Sequence, residues 1–114
     1  MVTKAKSYID NGVTISKSSI SEGDEIVITY SGLLAASGAD TVFAHIGYGE
    51  AWDNKDYIPM IKEGDIFTAA FKVGQPGTLN ICFKDSAENW DNNSNQNYSF
   101  KIKKKAVRKT VKSV

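Results

Sequence analysis

The chain has 114 residues, enough for one domain with a modest core and too few for two independent ones. With 41% apolar and 24% charged residues it has ordinary globular composition, which argues against disorder for its bulk, and no run nears the roughly 18 apolar residues of a membrane span. The net charge of +1 hides an uneven division: residues 1–100 hold 13 acids against seven bases, a formal −6, whereas KIKKKAVRKTVKSV at 101–114 carries seven Lys or Arg and no acid.

The opening MVTKAKSYIDNG lacks the apolar stretch and small-residue cleavage site of a signal peptide, so as written the expected location is cytoplasmic. Val13 and Ile15 mark a first short strand, and DEIVITYSG (24–32) a second, β-branched and aromatic between Gly23 and Gly32. LLAASGA (33–39) is either a helical turn or a loop across the end of the molecule. DTVFAHIGYG (40–49), DYIPMI (56–61), DIFTAAFKV (65–73), GTLNICFK (77–84) and NYSFKI (97–102) continue the series, with turn signals at KEGD and GQPG. Seven short strands at this spacing predict an all-β fold, an antiparallel β-sandwich. The expected division is a folded domain over 1–102 and a basic tail over 103–114.

Side-chain parity predicts the inward faces: Ile26, Ile28 and Tyr30 on one strand, Phe67, Phe71 and Val73 on another, and Leu79, Ile81 and Phe83 on a third. Asn80, Cys82 and Lys84 then share the opposite face. Cys82, the only cysteine, cannot form an internal disulfide, which suits a reducing compartment, and it reads as a small, partly buried filler rather than a catalytic thiol.

Two segments carry residues that strands alone do not explain. VFAHIGYGEAWDN (42–54) sets His45 on a strand and Trp52 in the loop after it, and the loop beyond Lys84 displays Trp90 among Asp, Asn, Ser and Glu. An indole in so polar a loop needs something to lie on it. A pyranose ring meets that need: its C–H face suits an indole, and its hydroxyls suit Asn, Asp and His side chains that donate or accept in a plane. Tyr48 and Tyr98 read as structural.

Metal and catalytic readings are weaker. Asp91, Asn93 and Asn95 mimic the first ligands of an EF-hand loop, but Gln96 replaces the glycine of position six and Ile102 the glutamate of position twelve. A looser calcium site would have Asp85, Asp91 or Asp53 to draw on. One His and one Cys make no zinc set, so no metal and no cofactor is expected. The acids cluster at turns where water keeps them ionised, without the close carboxylate pair of a glycosidase, and no nucleophile has an adjacent base. The expectation is a binding module, not an enzyme.

The strand order and the motifs HIGYGEAW and CFKDSAENWDNN…NY resemble the starch-binding carbohydrate-binding modules of family 25 and the related family 53, over roughly residues 10–102. The resemblance implies an immunoglobulin-like β-sandwich that recognises α-1,4-glucans such as starch, glycogen and maltooligosaccharides. It implies a platform of His45, Trp52 and Trp90 with polar partners Asn92, Asn93 and Asp91. It also implies a starch- or glycogen-active enzyme as partner, and offers a second origin for the chain, as a module excised from a secreted amylase-type enzyme. The alternative function, read from the tail, is an immunoglobulin-like interaction domain that docks a protein, membrane or nucleic acid through its basic residues. On the leading reading neither nucleic acid nor membrane is a partner.

Overall fold

The structure is a computed structural model that describes Tyr8, residues 11–93 and residues 96–104. The basic tail beyond Lys104 lies outside the described residues, as do Ser94 and Asn95 of the polar loop. Among the described residues ten strands and one helical turn follow in order: β1 (Val13–Ile15), β2 (Ile20–Ser21), β3 (Glu25–Tyr30), α1 (Leu33–Ala36), β4 (Val42–Tyr48), β5 (Asp53–Pro59), β6 (Ile61–Glu63), β7 (Ile66–Lys72), β8 (Gly77–Asp85), β9 (Trp90–Asp91) and β10 (Tyr98–Lys103).

Two sheets form. One has the order β1-β3-β7-β6, the other β2-β10-β8-β4-β5, with β9 added beside β8. These are the A-B-E-D and G-F-C arrangements of an immunoglobulin-type sandwich, so the all-β sandwich expected from the strand spacing is the fold observed. Every pairing is antiparallel except β2 with β10. Among the described residues no helix is long and apolar enough to cross a membrane.

The inward faces follow the period-2 pattern. Ile26, Ile28 and Tyr30 of β3, Phe67 and Ala69 of β7 and Leu79, Ile81 and Phe83 of β8 are all buried. Tyr30 and Phe83 stack across the interior with centroids 4.0 Å apart, which locks one sheet to the other. Each buried Ile, Leu or Phe side chain among them contributes about 1.5–3 kcal/mol of burial energy. Tyr48 and Tyr98 are buried as well, with Tyr8 packing edge-on to Tyr98 at 5.0 Å.

Two details correct the strand assignment, and a third settles an open choice. The segment 56–61, read as one strand, divides: β5 lies in one sheet and β6 in the other. Pro59 offers no N–H to continue the ladder, and Met60 turns inward, buried, its N–H donating to the Val42 carbonyl at 2.9 Å. The two-residue strands β2 and β9 carry too little pattern to be seen in sequence. Of the two options for residues 33–39, the helical turn is realised, closed by Leu34 N–H donating to the buried Tyr30 Oη at 2.9 Å.

Candidate functional site

The outer face of the β8-β4-β5 sheet carries the aromatic residues left out of the core. His45 in β4 pairs directly with Cys82 on one side and Tyr57 on the other, so all three point outward together. Tyr57, 49% exposed, stacks on the His45 ring at 4.2 Å and 8°. Trp52 stacks on the same ring at 5.0 Å and 29°, while Trp90 meets it edge-on at 5.8 Å and 63°. His45 is thus the hub of a four-ring cluster on one surface.

Trp52 owes its place to backbone geometry. The β4–β5 turn closes with Trp52 N–H donating to Gly49 O at 3.1 Å. The Asn80 side chain donates to that same carbonyl at 2.8 Å and accepts from Ser99 Oγ at 2.9 Å. Trp52 itself adopts φ 55°, a conformation that costs a bulky residue free energy and that tends to occur where function requires it. Its ring then lies on Gly47, where a Cβ would run into the indole Cε3 and Cδ2 atoms. Gly47 therefore makes the seat for Trp52 by lacking a side chain. Trp52 is partly buried as a result rather than fully bare.

Trp90 is mounted differently. At the end of β8 the Asp85 carboxylate closes a tight turn: Oδ1 accepts from Ala87 N–H at 3.0 Å and Asn89 N–H at 2.9 Å, and Oδ2 from Asn89 Nδ2 at 3.0 Å. These bonds, those from Asn89 first, hold the Asp85 carboxyl below the usual carboxylate range. The returning chain pairs as β9, with Trp90 opposite Lys84 and Asp91 opposite Phe83. Lys84 faces out and Phe83 in, so the pairing sends Trp90 to the surface, 40% exposed, and Asp91 to the interior.

Asp91, expected on the polar rim with the sugar-facing amides, is therefore corrected to a buried anchor. Its Oδ2 accepts from Tyr30 Oη at 2.6 Å and its Oδ1 from Tyr98 Oη at 2.9 Å. Burial, together with the Asp91 carboxylate, pushes both phenol pKa values well above the ordinary range. Asn92 and Asn93 stay at the surface and border a groove beside Trp90, with Asn93 Nδ2 donating to Asn97 O at 3.0 Å.

Two residues that sequence reasoning missed complete the cluster. Tyr57 was hidden because its partner depends on register, and a bulge between Ile46 and Tyr48 shifts that register within β4. The alternation of Lys55, Tyr57 and Pro59 was the available signal. Lys84 sets its ammonium 5.5 Å from the ring centroids of both Tyr57 and Trp90 and 3.1 Å from Glu88 Oε2, tying two rings together by cation–π attraction.

The imidazole at the hub carries no charge. Burial, then the charges of Lys55 and Lys84, holds the His45 pKa below 6.5, so the imidazole is neutral at pH 7. Beneath it Cys82 Sγ lies 3.7 Å from Nδ1, and burial pushes the thiol up to about 11, which leaves it protonated and unreactive. Among the described residues no three His, Cys, Asp or Glu side chains gather as a metal site.

No family model matches the chain, and no solved structure matches it. The chain is 33% identical over 89 residues to an α-amylase of Clostridium acetobutylicum. That match takes in 76% of this chain and 11% of the amylase, so the chain is similar to one small segment of a much longer protein.

Proposed function

We propose that the chain is a non-catalytic carbohydrate-binding module of the family 25 or family 53 kind, recognising α-1,4-glucans. The observation that carries this reading is the inclination of the indoles. Because His45 makes 29° with Trp52 and 63° with Trp90, the two indole planes differ by at least the 34° between those values. An α-1,4-glucan curves, so successive glucose faces are presented at an angle, whereas a flat β-1,4 ribbon needs coplanar rings. Oblique plates select the curved chain.

In this reading one glucose unit stacks on the exposed part of the Trp52 ring and another on Trp90, displacing water from C–H and indole surface. Neutral His45 and the carboxamides of Asn92 and Asn93 hydrogen-bond the hydroxyls and fix orientation. Tyr57 widens the apolar floor, and the similarity to an α-amylase segment fits a domain that holds glucan near a starch- or glycogen-active enzyme. A shallow, wet site of this kind gives dissociation constants of roughly 10 μM to 1 mM, about −4 to −7 kcal/mol, with avidity on a polymer.

An NMR titration tests the reading directly, since the two tryptophans give two indole N–H signals. Maltoheptaose is expected to shift both, and cellohexaose neither. Trp90→Ala removes an exposed ring that contributes little to the core, so the fold survives while maltoheptaose affinity falls at least tenfold. Equal response to the two sugars, or normal binding by Trp90→Ala, refutes the proposal.

A further inference from the structure

Trp90 borders a second feature that the aromatic cluster does not include. A groove of about 750 Å³ runs between α1 and the Asn92–Asn93 turn, with Trp90 as one wall. Its lining also takes in Leu33, 62% exposed, and Ala36 of α1, and Ser31 and Asn11 add polar groups. The volume lies within the roughly 300–1,000 Å³ usual for small-ligand sites.

The lining is almost without charge. Among the described residues the lining holds a single carboxylate, Asp91, which already accepts hydrogen bonds from Tyr30, Tyr98 and the Asn93 N–H, and it holds no Lys, Arg or His. Among those residues an anionic ligand would find no counter-charge. A neutral polyol would find apolar surface on Trp90, Leu33 and Ala36 and carboxamides at Asn92 and Asn93. The platform side of Trp90, by contrast, carries the Lys84 ammonium.

We propose that this groove is a further glucan subsite, in which the chain stacked on the platform continues past Trp90 and lays its next glucose units between α1 and the Asn92–Asn93 turn. The inference rests on the proposed function, since the occupant is the same polymer, and it adds Leu33, Ala36, Ser31 and Asn11 to the binding surface. Continuity is its physical basis: Trp90 belongs to both features, so a chain leaving that ring in the groove's direction meets the Leu33 wall rather than open water. Glucose units beyond the platform then gain contact, and affinity rises with chain length.

Calorimetric titration of the wild type, Leu33→Ala and Ala36→Arg with maltotriose and maltoheptaose tests this. Both positions are exposed, so both variants should keep the wild-type thermal midpoint. Wild type should bind maltoheptaose more tightly than maltotriose. Each variant should bind maltotriose as wild type does and maltoheptaose about fivefold more weakly, the loss expected for one apolar wall. Wild type that prefers neither length, or variants that bind maltoheptaose normally, overturns the groove subsite while leaving the platform standing. Wild type that binds neither sugar overturns the platform and the groove together.

Discussion

Replacing Asp91 separates an anchor from a ligand more sharply than any other change. In Asp91→Ala two buried phenols, Tyr30 and Tyr98, lose the acceptor they reach at 2.6 and 2.9 Å. A hydrogen bond to a charged group is worth about 1.5–3 kcal/mol net, so losing two gives about 3–6 kcal/mol. The lower half of that range applies because relaxation lets the freed hydroxyls recover part of the loss. Asp91→Asn keeps one carbonyl acceptor of similar shape and should lose about half as much. Urea unfolding followed by tryptophan fluorescence measures this, with the midpoint falling and the slope unchanged. Trp90, one residue away in β9, should show weakened glucan binding in the same variant because its mount is loosened. A residue that only touched sugar would leave stability within about 0.5 kcal/mol. A loss under about 1 kcal/mol in Asp91→Ala would refute the anchor assignment.

Gly47→Ala keeps an acceptable backbone, since Gly47 does not have positive φ, but places a methyl group under the Trp52 ring. It should lower stability by about 1–3 kcal/mol through overpacking, shift the Trp52 emission to the red and weaken maltoheptaose at least tenfold. Unchanged emission together with unchanged affinity counts against the seat. The pH dependence follows from His45, the only histidine, whose folded-state pKa lies below 6.5 through burial and the charges of Lys55 and Lys84. Below about pH 6.5 the unfolded chain takes up a proton that the folded chain does not, so this group's share of stability is full above 6.5 and falls as pH drops toward the lowered folded value. Glucan affinity should stay flat from pH 8 to 6.5 and decline only below. The His45 ring proton shift, followed by NMR, should titrate below 6.5; a midpoint at or above that value contradicts the described environment.

Period-2 alternation was enough to read the inward faces of β3, β7 and β8, because which side of a strand is buried is a local property of its own sequence. The motif around HIGYGEAW and the loop with Trp90 likewise marked His45, Trp52 and Trp90, since exposed aromatics among turn residues are conspicuous without any partner. Asp91 shows where such reading stops. Its neighbours in sequence are surface amides, and only the pairing of β9 with β8, Trp90 opposite Lys84 and Asp91 opposite Phe83, sends it inward to the tyrosines.

The same division accounts for the whole molecule. Composition, strand spacing and alternation determined an all-β sandwich, its core residues and the aromatic side chains that the core leaves out, because each depends on a residue and its near neighbours. Tertiary structure alone decided that Tyr57 lies against His45, that Lys84 bridges two rings, that Gly47 seats Trp52 and that the two indoles are inclined to each other. Those facts depend on register between strands distant in sequence, and a shift of one residue in any pairing would turn the cluster to the opposite face.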